Sequence, residues 1–228
     1  MNQRTCHLIK IIASLFLTLS IFSSSFALND DSTKIKITSI TAVNDEIPQA
    51  SGITYLDGKY YVISDDKPFL FILNKRFKII KKVNLSGRSA NEKKDFEAIA
   101  ITQIDGSPMV LVLASGHKAK KSLGYLYNIT SGRVVDINLN KIYGYVSQQM
   151  SGIKCNIEGL AISATKVYLA NRKNNTIITF NGDEFFRYFL NPGEVLPEPR
   201  IAKVTLPEIN HHQAALTGLS FSKETNTL

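Results

Sequence analysis

One short pattern recurs along the chain, and it restricts the possible folds more than any other feature. It is clearest at Asn156–Lys173, N-I-E-G-L-A-I-S-A-T-K-V-Y-L-A-N-R-K. A lead-in with a Glu runs into a short apolar stretch, then a tight turn, then a second apolar stretch that ends in polar residues. Related copies begin at Ser51 (S-G-I-T-Y-L-D-G-K-Y-Y-V-I-S-D-D), at Glu97 (E-A-I-A-I-T-Q-I-D-G-S-P-M-V-L-V-L-A-S-G-H-K) and at Thr217 (T-G-L-S-F-S-K-E-T-N-T-L). A supersecondary unit returning every 40–60 residues or so must stack on its neighbours to bury its apolar face.

From Lys34 onward the chain reads almost entirely as β. Lys34–Ile40 alternates polar and apolar residues, the period of a half-buried strand. The first unit gives strands at Gly52–Leu56, Tyr60–Ser64, Phe69–Asn74 and Phe77–Leu85, with Asp57-Gly58 as a strong hairpin signal. The second gives Ala98–Ile104, Met109–Ser115, Leu123–Ile129 and Arg133–Leu139. The third gives Leu160–Ser163, Val167–Asn171, Thr176–Asn181 and a last strand near Arg200–Leu206. Asn140–Cys155 is expected as a loop over one face, and Asp183–Leu190 as a short helix with Asp183 near its N-terminus.

Four-stranded antiparallel units at this spacing are blades of an all-β propeller. A β-sandwich would also give short strands, but it does not account for the repeated E-[AG]-[IL]-A start. The expectation is three blades plus part of a fourth, which stops after one strand at Thr217–Leu228; a complete ring would have about six. Lys34–Ile40 is expected as an outer strand for a last blade. Residues 28–228 are thus expected to form one propeller domain, incomplete at its C-terminal end.

Met1–Ala27 has the three parts of a secretory signal. Arg4 and Lys10 precede the apolar run Ile11–Phe22, and Ser25-Phe26-Ala27 is a small-x-small cleavage site. The run is shorter than the roughly 20 residues of a spanning helix. A periplasmic or secreted protein is expected, not an integral membrane protein once the leader is cleaved. Its net charge is +8, two of those positive charges lying in the leader, and the remaining cations are scattered. That reads as a solvated basic surface with weak attraction to anionic envelope polymers, and no nucleic-acid partner is expected. Beyond the leader Cys155 is the sole cysteine, so no intramolecular disulfide can form.

In a propeller the residues at each repeat start and the loops after each second strand open on one face. The first set is Ser51, Asp95, Glu97, Asn156, Glu158 and Thr217. The second is Asp65 and Asp66, Ser115 and His117, Asn171 and Arg172, in loops reading S-D-D-K, S-G-H-K and N-R-K. Carboxylates beside an Asn and backbone carbonyls are hard oxygen donors suited to Ca²⁺. One reading therefore gives a calcium held by Glu97, Glu158, Asn156 and Asp95. The other has each Glu satisfying backbone N–H groups of the adjacent blade. His117 is the candidate catalytic base, with Asp95 or Glu97 as the carboxylate that would orient it. Asp65, Asp66, Ser115, Asn171 and Arg172 are the candidate ligand-binding residues. No G-x-S-x-G, Walker loop or C-x-x-C occurs, and the adjacent pair His211-His212 does not suit zinc.

The stretches S-G-I-T-Y, Y-Y-V-I-S-D-D-K-P-F-L-F-I-L-N, K-K-D-F-E-A-I-A-I, V-L-A-S-G-H-K and N-I-E-G-L-A-I resemble exported bacterial propellers of the SdiA-regulated and esterase-like phytase-like groups. The resemblance covers about Gln49–Arg172, with a weaker echo at Thr217–Phe221. It implies a propeller that binds calcium or acts on phosphoesters, with Glu97 and Glu158 at channel-facing acidic positions and Asp65 as a strand-end acid. The third unit departs from the pattern by carrying Asn171-Arg172 where the first has Ser64-Asp65, which suits an anionic ligand. Three functions follow as expectations: binding of a small anionic ligand, with Ca²⁺; metal-dependent hydrolysis of phosphoesters, lactones or other esters; or docking of an envelope component.

Overall fold

The computed structural model describes residues 47–87, 93–118, 122–191, 193–209 and 211–228. The leader at 1–27 and the strand expected at Lys34–Ile40 lie outside them.

Three four-stranded antiparallel meanders make up the fold. Sheet 1 runs β1 (Ala50–Leu56), β2 (Lys59–Ser64), β3 (Phe69–Leu73) and β4 (Ile79–Asn84). Sheet 2 runs β5 (Phe96–Ile104), β6 (Ser107–Ala114), β7 (Leu123–Asn128) and β8 (Val134–Asn138). Sheet 3 runs β9 (Ile157–Ile162), β10 (Lys166–Asn171), β11 (Thr176–Asn181) and β12 (Arg200–Lys203). Strand order follows chain order in every sheet, and the first strands β1, β5 and β9 lie side by side. This is a propeller-like arrangement, with the first strand of each unit innermost. The turns Asp57-Gly58 and Asp105-Gly106 have positive φ at both residues, the conformation that matches the strand twist in a two-residue hairpin.

Sheet 2 is buried on both faces, which explains the unbroken apolar run of β6. Val110 and Val112 pack with Tyr61, Ile63, Leu70 and Ile72 of sheet 1. Leu111 and Leu113, one residue out of phase, pack with Leu160, Leu169 and Ile178 of sheet 3. The period-2 alternation of a strand thus feeds two cores at once. The glycines after Ser51 and Glu158 have a steric reason. At Gly159 a Cβ would stand 2.7 Å from the Gly218 backbone, and at Gly52 one would stand 2.9 Å from Ile99.

Two segments differ from the sequence expectation. The insertion after β8 is a helix, α1 (Asn140–Gln149), not a loop. It carries no side-chain cap and no acid in its first turn, and Gly144 lowers its propensity. What holds it is burial of Ile142, Tyr143 and Val146 against the core between sheets 2 and 3. The Thr217 copy forms no strand at its start, only an isolated bridge between Ser222 and Thr227. It still lies along sheet 3: Asn175 donates to the Ala214 carbonyl at 2.9 Å and accepts from the Leu216 N–H at 3.0 Å. Phe221 stacks on Tyr168.

The expected short helix is present as α2 (Gly182–Leu190), where the Asn181 side chain accepts from the Glu184 N–H. Two short strands, β13 (Glu208–Ile209) and β14 (His212–Gln213), form a separate hairpin. No helix among the described residues is long and apolar enough to cross a membrane.

Candidate functional site

The repeat start has one backbone geometry in all three sheets. Ala50 pairs with Ser64 and Gly52 with Ile63, which leaves Ser51 as the extra residue of a bulge. Phe96 and Ala98 pair with Ala114 and Leu113, leaving Glu97 in the same place, and Ile157 and Gly159 likewise leave Glu158. A bulge re-aims the side chain it carries, so one local distortion directs Ser51, Glu97 and Glu158 off the regular ladder. Backbone bonds then close each unit: the N–H groups of Asp65, Ser115 and Arg172 donate to the carbonyls of Gln49, Asp95 and Asn156, each at 3.0 Å. Others join the sheets, from Asp95 N–H to the Asp65 carbonyl (3.1 Å) and from Ile157 N–H to the Ser115 carbonyl (2.8 Å). Ser51 donates its hydroxyl to the Phe96 carbonyl.

This belt surrounds a cavity of about 700 Å³, lined by Asp95, Glu97, Ser115, His117, Lys154, Cys155, Asn156, Glu158, Arg172, Lys173 and Ala215. Asp65, which is not part of this lining, joins Asp95 and Glu97: each brings a carboxylate oxygen within 4.8 Å of the others. Asp95 has φ +62°, a left-handed conformation that Asp tolerates better than most residues. Ser115, almost wholly buried, donates its hydroxyl to Asp95 Oδ2. His117 Nδ1 lies 3.0 Å from that same oxygen and 2.7 Å from Ser115 Oγ. A proton on Nδ1 faces Asp95 and leaves Nε2 as the basic nitrogen. Ser115 is thus committed to Asp95 and is not placed as a nucleophile. Lys93 spans Asp65 Oδ2 (2.5 Å) and Asp66 Oδ1 (2.8 Å), and these carboxylates, Asp65 first, hold its ammonium well above the usual lysine range. The other oxygen of Asp65, Oδ1, is shielded from solvent and has no hydrogen-bond partner among the described residues.

The lining also carries positive charge, from Lys154, Arg172 and Lys173. Glu158 accepts from Asn156 Nδ2 at 2.9 Å and lies 3.5 Å from Arg172, while its charge is also felt by Glu97. Cys155 is buried with its thiol directed at the Tyr143 carbonyl, and burial pushes it up to about 12, so it supplies no thiolate near neutrality.

Of the residues singled out in the sequence, Asp95, Glu97, Ser115, His117, Asn156, Glu158 and Arg172 meet in this one cavity. The carboxylate cluster differs in membership from the expected metal set: Asp65 joins Asp95 and Glu97, while Asn156 and Glu158 bond each other. Asn171 is buried behind the wall, accepting from the Asn156 N–H at 2.6 Å and donating to Asn174 at 2.7 Å. Thr217 does not line the cavity. Sequence reasoning missed Lys93, Lys154 and Lys173. Lys93 stands two residues before Asp95, and Lys173 ends the N-R-K loop.

Burial raises the Glu97 carboxyl, and the negative charges of Glu158, Asp65 and Asp95 raise it further; Lys93 only partly offsets them, leaving it at about 7. A carboxyl whose pKa is higher folded than unfolded binds more protons in the native state. Stability therefore falls as pH rises from about 4.5 to about 7. In chelator, the melting temperature is expected to decline over that window, and Glu97→Gln is expected to flatten the decline. An equally steep slope in the variant would assign the effect to another group.

Among solved structures, the chain is similar to the Kuenenia stuttgartiensis hydrazine synthase at 15% identity and TM-score 0.40, over 65% of this chain and 36% of that one. The computationally designed Ika4 protein is similar at 12% identity and TM-score 0.39, over 82% and 89% respectively. Kluyveromyces lactis Hsv2 is similar at 12% and 0.33, over 77% and 62%. The chain spans about a third of the length of the hydrazine synthase chain, which it covers to 36%. No curated protein matches it. The comparisons give no support to the SdiA-regulated or phytase-like groups. Residues 46–228 match a family of unknown function, DUF6929, and the chain belongs to that family.

Proposed function

We propose that this is an exported propeller whose cavity binds a small anionic ligand together with a divalent cation, Ca²⁺ being the one that suits an all-oxygen donor set. The observation that carries the reading is Asp65 Oδ1, a buried carboxylate oxygen with no donor among the described residues, within a cluster where Asp65, Asp95 and Glu97 offer oxygens 4.8 Å or less apart. A buried carboxylate oxygen without a partner is costly even where the other oxygen is paired, and a cation among the three carboxylates removes that cost. Lys154, Arg172 and Lys173 in the lining suit the ligand's negative charge. Export rests on the leader-like Met1–Ala27.

Calcium titration calorimetry tests the reading. Asp65→Asn and Glu97→Gln are each expected to weaken calcium binding more than about tenfold, since each removes one charged ligand. Glu158→Gln is expected to leave it nearly unchanged. Equal losses from Glu158→Gln and Glu97→Gln would restore the metal set expected from sequence and overturn the one proposed here.

The contact between His117 and Asp95 favours a second reading, hydrolysis of a phosphoester, lactone or other ester with His117 as general base. In that case turnover of model esters falls by about 10²–10⁴ in His117→Asn while calcium affinity persists. Full activity in that variant removes His117 from the chemistry.

A further inference from the structure

The hairpin of β3 and β4 carries a charge pattern that the cavity does not use. Between Asp66 and Glu92 the sequence has no acid, yet it holds Lys67, Lys75, Arg76, Lys78, Lys81, Lys82 and Arg88. Lys75, Arg76, Lys78, Lys81 and Lys82 lie on the turn and on β4, and all are exposed. The β1–β2 turn next to Lys75 adds Asp57 and Lys59, whose charges cancel.

β4 is the outer strand of sheet 1, and lysines on an outer strand guard against unwanted pairing. That role covers Lys81 and Lys82, which are already engaged: Lys81 donates to the Tyr127 hydroxyl at 3.1 Å, and Lys82 sits 4.3 Å over the Phe69 ring. It does not cover Ile80. Leu73 pairs with Ile79 and Ile72 with Lys81, so Ile80 is the extra residue of a bulge. The bulge turns it outward, 52% exposed in the middle of the cations. A guard strand has no use for an apolar side chain directed into water.

We propose that this hairpin docks the protein onto an anionic lipid bilayer, its cations on the headgroups and Ile80 entering the interface. A soluble polyanion would need only the charges; a lipid surface takes charges and an apolar side chain together. The strands place the tip at Lys75–Lys78 and the cavity at opposite ends of their sheets, since Asp65 and Ser115 follow β2 and β6 while the tip follows β3. Docking therefore leaves the cavity open to solvent.

The test is co-sedimentation of the leader-free chain, residues 28–228, with phosphatidylcholine vesicles, with and without phosphatidylglycerol, at roughly 0.1 M salt. Binding is expected only with phosphatidylglycerol. The triple variant Lys75→Glu, Arg76→Glu, Lys78→Glu is expected to weaken it on the order of 100-fold or more. A triple reversal at the exposed Lys141, Lys166 and Lys203 is expected to leave most of it. Ile80→Ser is expected to weaken vesicle binding several-fold without changing retention on dextran sulfate, and circular dichroism verifies that each variant folds. Absent phosphatidylglycerol dependence, or equal losses in the two triple variants, would overturn the proposal. So would unchanged vesicle binding by Ile80→Ser, which would assign the hairpin to a soluble polyanion instead.

Discussion

Phe96→Ala is expected to cost about 3–5 kcal/mol of stability and to abolish cation binding along with it. Phe96 is fully buried between sheets 1 and 2 and meets Tyr125 edge-on, ring centroids 5.6 Å apart. It also separates Asp95 from Glu97 in sequence, and its carbonyl accepts from Ser51. The ring is therefore the anchor that fixes the left-handed turn at Asp95 on one side and the bulge at Glu97 on the other. Removing it leaves a cavity in the core and frees both carboxylates to turn away. Calorimetric melting should show a drop of roughly 10 °C, from 2–4 °C per kcal/mol in a domain of this size. Phe96→Leu, which keeps most of the volume, should lose less than half as much. If Phe96→Ala melted with the parent protein, the site would not be anchored from the core.

Gly116→Ala comes next in size, at about 3 kcal/mol, from two causes that a control can separate. Gly116 has φ +79°, a conformation that penalises any Cβ. Its added Cβ would also stand 2.3 Å from the Tyr143 ring of α1, which is buried and holds the Ala114 carbonyl through its hydroxyl at 3.0 Å. Gly87 has a similar φ of +62°, with nothing among the described residues within 4 Å of the Cβ position. Gly87→Ala should then cost only the backbone part, about 1 kcal/mol. A difference of about 2 kcal/mol between the two variants measures the overpacking against Tyr143. Because Gly116 joins Ser115 to His117, its variant should also disturb the His117 contact with Asp95. Equal losses at the two glycines would mean that α1 yields easily and does not buttress the loop.

The four-stranded units were legible because their signals are local. Alternating apolar residues give the strands, and Asp57-Gly58 and Asp105-Gly106 give hairpins whose geometry requires positive φ. The face carrying Asp95, Glu97, Ser115 and His117 was legible because the repeat places them at equivalent positions. What escaped depends on pairing between distant segments. Asp65 reaches Asp95 and Glu97 through a bond between sheets, and whether Glu158 points to the acids or to Arg172 is decided by Asn156. The α1 helix escaped for a related reason: with Gly144 inside it and no cap, its stability comes from the Ile142, Tyr143 and Val146 contacts. Lys93 escaped because a run of lysines reads as solvated surface until one of them is seen between Asp65 and Asp66.

The measurement closest to the central claim is thermal unfolding of the chain in excess calcium and again in chelator, at a pH above the Glu97 transition near 7. A cation bound only by the native state at a hundred times its dissociation constant adds about 2.7 kcal/mol, a rise of roughly 5–10 °C in melting temperature. That rise is expected in the parent protein, and its loss in Glu97→Gln. Identical melting in calcium and in chelator, with no heat of calcium binding by calorimetry, would contradict it and leave Asp65, Asp95 and Glu97 as a structural cluster held by Lys93.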